Sequence, residues 1–145
     1  MTKKIVREKK ESAASESFKT ELENAVENLV FMSETDAPMK PFSINGSDSS
    51  SIKESVAEFD GFEFGEAIEE RGFEELFARL TRVHVGANEV SVRRAERFLR
   101  LKSLLAVNLT NLTVVRIGTI RINVYIVGRD GSGKILGIKT FAVET

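Results

Sequence analysis

The feature that most constrains the fold is a nine-residue stretch, Thr119–Val127, which reads Thr-Ile-Arg-Ile-Asn-Val-Tyr-Ile-Val. It begins with an alternation of apolar and polar residues, typical of a strand with one buried face, and then becomes apolar on both faces. A strand of this kind must be covered on both sides. The sequence therefore predicts a central β-strand with packed layers above and below it.

Two further strands are predicted beside this one in the sequence. Leu112–Ile117 precedes it and Lys134–Val143 follows it, and turns at Gly118 and at Arg129–Gly133 connect the three. Because short turns join antiparallel neighbours, we expect a C-terminal antiparallel three-stranded meander. Pro41–Ile44 is predicted to be a short strand at a sheet edge or strand start, since proline cannot donate a ladder hydrogen bond.

Three helices are predicted ahead of these strands, each with apolar residues at helical spacing. Ser15 or Ser17 can cap the first. Arg93, Arg97 and Arg100 fall opposite the apolar stripe of the third, on the side where we expect solvent. The predicted segments are a helix from the cap through Met32, a compact helix with Phe73, Leu76, Phe77 and Leu80 on one side, and a long helix over Glu89–Leu109, with loops at Ser33–Pro38, Asn45–Ser51 and Val83–Asn88.

These elements together predict the fold class. Three helices and about four strands, with strands that need cover on both faces, predict a three-layer α/β/α sandwich. Because the helices precede most of the strands, the connectivity is α+β and not a series of βαβ units. We expect residues 1–14, which are charged and rich in Lys, Glu and Ser, to form a flexible tail, and residues 15–145 to form a single domain.

Composition excludes several classes of function. The chain has no Cys and a single His, which excludes disulfides, thiolate metal sites, cysteine nucleophiles and a His-based metal cluster. No apolar run is long enough to cross a membrane, and the charged N-terminus lacks the apolar region of a secretory signal, so we expect a cytoplasmic protein. The net charge is −1, whereas nucleic-acid binders are normally basic, so no direct nucleic-acid partner is expected.

The charges are segregated along the chain. Nine acidic residues and one basic residue lie between Glu54 and Glu75, and eight basic residues and two Glu lie between Thr81 and Arg121. Such segregation produces a field that can steer a charged partner. A hydrolase site within the acidic stretch is a further hypothesis, which the missing residue types disfavour. Gly128–Lys134 superficially resembles a phosphate loop, but its glycines join two strands, which favours a hairpin turn.

The last predicted strand runs directly into the end of the sequence, Phe141-Ala-Val-Glu-Thr145. We expect the sheet to hold this last residue in place, so that it presents a free carboxylate and the Thr145 hydroxyl. Two oxygen donors on a rigid strand could coordinate a hard cation such as Mg²⁺. The residues alone leave open whether this arrangement has a function or whether a strand simply ends there.

Two regions of the chain resemble the nuclease A inhibitor family. They are Leu29–Pro38, which reads Leu-Val-Phe-Met-Ser-Glu-Thr-Asp-Ala-Pro, and the end of the chain, Ile117–Gly128 and Gly133–Thr145. The resemblance is dense over the C-terminal third, good over the first helix and its loop, and thin through roughly residues 46–90. It implies a sandwich similar to the pathogenesis-related-1 fold. It also implies a protein that inhibits a metal-dependent, sugar-non-specific DNA/RNA endonuclease and is not itself an enzyme.

The resemblance implies roles for individual residues. Thr145 matches a C-terminal threonine whose hydroxyl ligates the catalytic metal of the nuclease, and Glu34 matches a glutamate that pairs with basic residues there. Glu34, Glu144 and the Thr145 carboxylate would stand in for phosphate oxygens in a cationic cleft. The implied partner is the nuclease, in a one-to-one complex with an otherwise monomeric protein. No cofactor of its own is implied, because the nuclease supplies the divalent metal, Mg or Mn.

One feature departs from the family pattern. The family can place a tryptophan in the loop before the long helix, where it packs on the nuclease, whereas this chain has no Trp and its loop reads Val83-His-Val-Gly-Ala-Asn88. An aromatic anchor often contributes much of the binding energy of an interface, so the affinity and the target are left open. The alternative hypothesis is a relative that kept the fold but binds a different protein or ligand and inhibits no nuclease.

Overall fold

The computed structural model describes residues 16–46, 51–62 and 65–145. The predicted tail at residues 1–14, the candidate cap Ser15 and residues 47–50 of the predicted serine-rich loop lie outside these ranges. In chain order, the elements are α1 (residues 16–26), β1 (Val30–Met32), β2 (Asp36–Pro38), β3 (Lys40–Ile44), α2 (Ile52–Asp60), β4 (Ile68–Arg71), α3 (Phe73–Leu80), α4 (Glu89–Asn108), β5 (Thr110–Ile117), β6 (Arg121–Arg129) and β7 (Ile135–Val143).

Five strands form an antiparallel sheet in the order β3-β7-β6-β5-β4. The strand with two apolar faces, β6, lies at its centre, and β5, β6 and β7 form the antiparallel meander, as predicted. β3, which contains Pro41, lies at one edge of the sheet, also as predicted. β1 and β2 form a separate two-stranded hairpin.

Both faces of the sheet are covered by helices. On one face, Ile122, Val124 and Ile126 of β6 belong to an apolar cluster that includes residues of α1, α3 and α4. On the other face, Tyr125 and Val127 pack with residues of α2. Because successive residues of a strand point to opposite faces, one strand contributes to both clusters. The chain is therefore α+β, with helices against both faces of its central sheet.

The longest of the described helices is α4, with 20 residues, and its sequence explains its start and its buried face. The Asn88 side chain caps its first turn by accepting a hydrogen bond from the Ser91 N–H at 2.8 Å. No helix within the described ranges carries an apolar segment long enough to cross a membrane. The stripe predicted to face inward comprises Ala95, Phe98, Leu101, Leu105 and Leu109. The first four are the buried residues of α4, and Leu109 is buried directly after the helix ends.

One arginine predicted on the solvent side of α4 has a structural contact instead. The Arg97 guanidinium donates hydrogen bonds to the carbonyls of Ala25 and Glu27, at 2.9 and 2.6 Å. The carbonyls at the end of a helix lack partners within the helix and carry its negative dipole, so a cation is favourable there. Arg97 therefore ties α4 to the end of α1, a long-range contact that helical periodicity does not reveal.

The first helix ends earlier than predicted. Its last helical residue is Val26, and Asn28 adopts φ +58°, a left-handed conformation that terminates helices. The prediction extended the helix because Leu29 and Val30 continue the apolar spacing. These residues instead lead into β1, which pairs with β2, so the segment Ser33–Pro38 is only partly a loop.

Two elements within the acidic stretch were not predicted. α2 begins after Ser51, whose hydroxyl accepts a hydrogen bond from the Glu54 N–H at 3.1 Å, and ends at Asp60, before Gly61, which has φ +68°. β4 forms the second edge of the sheet and has mostly exposed, charged side chains. Charged residues protect an exposed edge from pairing with other chains, and they also hide the apolar alternation that would identify a strand.

Tyr125 carries a buried hydroxyl on the α2 face of the sheet. This hydroxyl donates a hydrogen bond to Asp60 Oδ1, which also accepts one from Asn123 Nδ2 at 2.9 Å. Burial of the phenol, followed by the hydrogen bond and the negative charge of Asp60, raises the pKa of Tyr125 well above its ordinary value.

We expect Tyr125, the only tyrosine, to keep its proton in the folded protein at a pH where a free tyrosine ionises, about 10. The unfolded chain releases that proton first, so stability should fall as the pH rises above about 10. Near-ultraviolet phenolate absorbance should therefore appear together with the loss of circular dichroism. Tyr125→Phe should reduce this alkaline loss and cost about 1–2 kcal/mol at neutral pH. Phenolate absorbance in still-folded protein near pH 10 would contradict the prediction.

Candidate functional site

Hydrogen bonds hold the end of β7 from two sides. On one side, the Glu34 N–H donates to the Val143 carbonyl at 3.2 Å, and the Val143 N–H donates to the Ser33 hydroxyl at 2.9 Å. On the other side, the Glu144 N–H donates to the Ile120 carbonyl at 2.9 Å. The turn of the β1–β2 hairpin and the turn between β5 and β6 thus fix the last residues of the sequence, as expected of a strand that the sheet holds in place.

Each of these turns has a local cause in the sequence. Ser33 donates from both its N–H and its hydroxyl to the Thr35 carbonyl, at 3.0 and 3.2 Å, which is typical of serine in a tight turn. Gly118 has φ +121°, and a Cβ there would lie 2.2 Å from the Arg121 carbonyl oxygen. Only glycine fits this second turn without a shift of the backbone.

Glu34 and Thr145 are in direct contact, although 111 positions separate them in the sequence. The Thr145 hydroxyl lies 2.8 and 3.0 Å from the two carboxylate oxygens of Glu34, to which it donates. Both residues are exposed. A hydroxyl that donates its single proton in this way keeps its oxygen lone pairs available for another group. The predicted site residues Glu34, Glu144 and Thr145 are brought together at one end of the sheet, and we call them the tip.

Glu144 differs from Glu34 in that a cation of the same chain already neutralises it. Its Oε2 lies 2.8 Å from Nη2 of Arg116, a residue of β5. The side chain of Arg116 is 13% exposed and that of Glu144 is 50% exposed. In the sequence, Arg116 is one basic residue among several, and nothing in its spacing identifies it as a partner of the tip. Ser33 was likewise missed as a contributor, although a serine at the start of a turn is a recognisable signal.

A cavity of about 150 Å³ lies beside Arg116, between β1, the start of α3 and the sheet. Its lining includes the basic residues Arg71 and Arg79 and the buried ring of Phe31. Arg71 forms an ion pair with Glu69 and, through this hydrogen bond and charge, holds the pKa of that carboxyl below its usual range. The tip therefore lies next to a region where basic and acidic side chains are interleaved.

A wider groove of about 730 Å³ lies between Met32 of β1, the start of α4 and the predicted loop Val83–Asn88, which the structure confirms as a loop. The loop carries His84, the only histidine, and Val85, whose side chain is fully exposed. Within the described residues, no group of three or more His, Asp or Glu side chains is arranged to hold a metal ion.

These features define a class: an α+β protein that presents a preformed group of carboxylate and hydroxyl oxygens at one end of its sheet. Residues 16–145 match the family model described as nuclease A inhibitor-like protein, and the chain belongs to this family. The match includes residues 46–90, where the resemblance read from the sequence was thin. No curated protein matches the chain. Family membership points to a nuclease inhibitor role and to a nuclease as the protein partner.

Replacing Ser33 tests how the end of β7 is held. We expect Ser33→Ala to lower stability by about 1 kcal/mol, because the Val143 N–H loses its acceptor. Urea unfolding measures this loss, and hydrogen exchange should show faster exchange of the Val143 amide. Ser43→Ala, at an exposed position of the edge strand β3, is the matched control and should change neither quantity. Unaltered Val143 exchange in Ser33→Ala would show that the hydroxyl does not hold the strand.

Proposed function

We propose that this protein inhibits a metal-dependent, sugar-non-specific DNA/RNA endonuclease by placing the tip in its active site. The main support is the hydrogen bond of 2.8 Å between the Thr145 hydroxyl and Glu34, at the exposed end of a strand that is held on both sides. Family membership supports the same role. In this proposal the chain breaks no bond itself.

The chemistry of a nuclease cleft explains why these groups would bind there. Such a cleft holds phosphates and a divalent cation, so it is cationic and receives carboxylate charge well. Glu34 would supply negative charge to basic residues of the nuclease. The Thr145 oxygen would coordinate its metal, Mg or Mn, while its hydroxyl proton stays hydrogen-bonded to Glu34. A hydroxyl that donates to a carboxylate is polarised and is a better ligand for a hard cation.

The metal in this proposal belongs to the nuclease. Mg²⁺ requires about six oxygen ligands in near-octahedral geometry, and the tip would supply one of them, the Thr145 hydroxyl. The remaining ligands would come from the nuclease and from water. The Thr145 hydroxyl would displace one water from the metal. It would then occupy the coordination position that the substrate needs.

The tip is formed before any partner binds. The hairpin turn and the β5–β6 turn already fix the backbone at Val143 and Glu144, so little conformational entropy remains to be lost. A one-to-one complex follows from the proposal, since one tip fills one active site.

We also propose a cytoplasmic location, where an inhibitor would protect its own cell. The helices on both faces of the sheet are what a sandwich similar to the pathogenesis-related-1 fold requires.

A second contact is proposed at the loop Val83–Asn88. Val85 of this loop is fully exposed, and Met32 across the groove is 50% exposed. These aliphatic side chains would take the place of the tryptophan that the family can carry there. They offer less apolar area than an indole ring, so we expect this contact to contribute less to the affinity.

The proposal is tested by titrating plasmid digestion by Mg²⁺-dependent, sugar-non-specific endonucleases, including the one from the source organism. Wild type should inhibit stoichiometrically. Thr145→Val should weaken inhibition by about 2 kcal/mol or more, roughly thirtyfold in the inhibition constant, while changing stability by less than about 0.5 kcal/mol. Thr145→Ser keeps the hydroxyl and is the matched control, which should inhibit like wild type.

Each result of this titration has a clear meaning. Equal inhibition by the Val and Ser variants would remove the hydroxyl from the mechanism. No inhibition by wild type of any nuclease tested, above all that of its own organism, would overturn the proposed function in favour of a family relative with a different partner.

Variants of Glu34 test independently whether its negative charge contributes to binding of the nuclease. Glu34→Ala should cost roughly 2–5 kcal/mol of binding free energy, because a basic residue of the nuclease would be left buried without a partner. Glu34→Gln keeps an oxygen acceptor for Thr145 but removes the charge, so it separates positioning of the hydroxyl from charge pairing. Glu96→Gln, an exposed carboxylate of α4, is the control for net charge. Isothermal titration calorimetry measures all three, and a loss below this range would place Glu34 at the rim of the interface.

A further inference from the structure

We infer that Arg116 is a positioning residue that acts on nuclease binding through Glu144, and that Glu144 is the member of the tip that supports Thr145 and not a substitute for a phosphate. This inference rests on the proposed function. It changes the role expected of Glu144 from the sequence, and it assigns a role to Arg116, which neither the resemblance nor the charge pattern singled out.

The first argument is the geometry of the ion pair. Arg116 belongs to β5, whereas Glu144 follows β7, and β6 lies between these strands in the sheet. In the strand register, Arg116 is opposite Val124, which is opposite Thr140. Arg116 is therefore level with a residue four positions before Glu144. To meet, the two side chains must extend toward each other along the strand direction. The Glu144 side chain is therefore directed back toward the middle of the sheet.

The second argument is burial. The Arg116 side chain is 13% exposed, so it is largely shielded from water, and its Nη2 lies 2.8 Å from the Glu144 carboxylate. Fully exposed ion pairs contribute little and change geometry easily. Arg116 is partly buried, and one of its planar donors, Nη2, binds Glu144 Oε2, so the freedom of both side chains is reduced. The charge of the Glu144 carboxylate is already offset by Arg116 within the chain, so a basic residue of another protein gains less from pairing with it.

The third argument is the position of Glu144 in the chain. Its N–H is bound to the Ile120 carbonyl, and its side chain is bound to Arg116. Two anchors on the residue directly before Thr145 restrict where the Thr145 hydroxyl can lie. Loss of either anchor allows this hydroxyl to leave Glu34, to which it donates at 2.8 Å. Arg116 thus acts on Thr145 through one intervening residue.

A double-mutant cycle tests the inference, with the inhibition constant for a Mg²⁺-dependent, sugar-non-specific endonuclease as readout. Arg116→Gln and Glu144→Gln should each raise this constant about tenfold, and the double variant should be no worse than either single variant. Arg116→Lys, which keeps the charge without the planar donors, should restore part of the loss. Arg93→Gln, in an exposed pair with Glu89 on α4, is the matched control and should have no effect.

Other outcomes would overturn the inference. Additive losses in the double variant would show that Arg116 and Glu144 act independently of each other. An Arg116→Gln variant that melts lower but inhibits like wild type would show a purely structural role. Because Arg116 is largely buried, Glu144→Gln serves as the test if Arg116→Gln does not fold, and full inhibition by Glu144→Gln would also overturn the inference.

A measurement on the free protein separates this inference from the proposed function. If wild type inhibits no nuclease, the proposed function fails, and ¹⁵N relaxation of the Glu144 and Thr145 amides decides whether Arg116 positions the tip. We expect lower order parameters at both amides in Arg116→Gln and unchanged ones in Arg93→Gln. Equal order parameters in wild type and Arg116→Gln would refute the positioning role.

Discussion

The structure depends on the burial of β6 on both faces. A strand at the centre of a five-stranded sheet with apolar side chains on either side requires cover from both directions, and two separate apolar clusters provide it. The helices α1, α3 and α4 supply one cover and α2 the other. Because β6 also pairs with both β5 and β7, its register places the β5–β6 turn beside the end of β7. The site is thus a consequence of how the core is built.

Much of this core could be predicted because it follows simple periodicities. The meander, the edge position of Pro41 and the inward stripe of α4 are confirmed. The secondary-structure predictions were wrong where a short element interrupts or lacks a hydrophobic pattern. The apolar spacing of α1 continues through Leu29 and Val30, but Asn28 ends the helix with a left-handed conformation and the next residues form β1. β4 was missed because its exposed edge carries charges that remove any alternation.

The candidate site shows the same division between local and long-range information. The family resemblance identified Glu34 and Thr145, and the structure brings them into contact. Their supports, Ser33 and Arg116, could not be identified with the same ease, because each acts through a contact with the end of β7 that is distant in sequence. Arg97 is a similar case, since it appeared to be a solvent residue and instead binds the end of α1. Periodicity reveals which face of an element is buried, but not which distant carbonyl a guanidinium reaches.

The hairpin of β1 and β2 couples binding to the integrity of the whole fold. It belongs to a separate sheet, and it is joined to β7 by Val143 and by a hydrogen bond of 3.0 Å from the Thr140 hydroxyl to the Pro38 carbonyl. The Glu34 carboxylate and the Thr145 hydroxyl therefore lie on two segments that meet only when the chain is folded. Any local unfolding that separates these two segments therefore disrupts the whole site. By thermodynamic linkage, a partner that binds the joined pair also stabilises the docked hairpin.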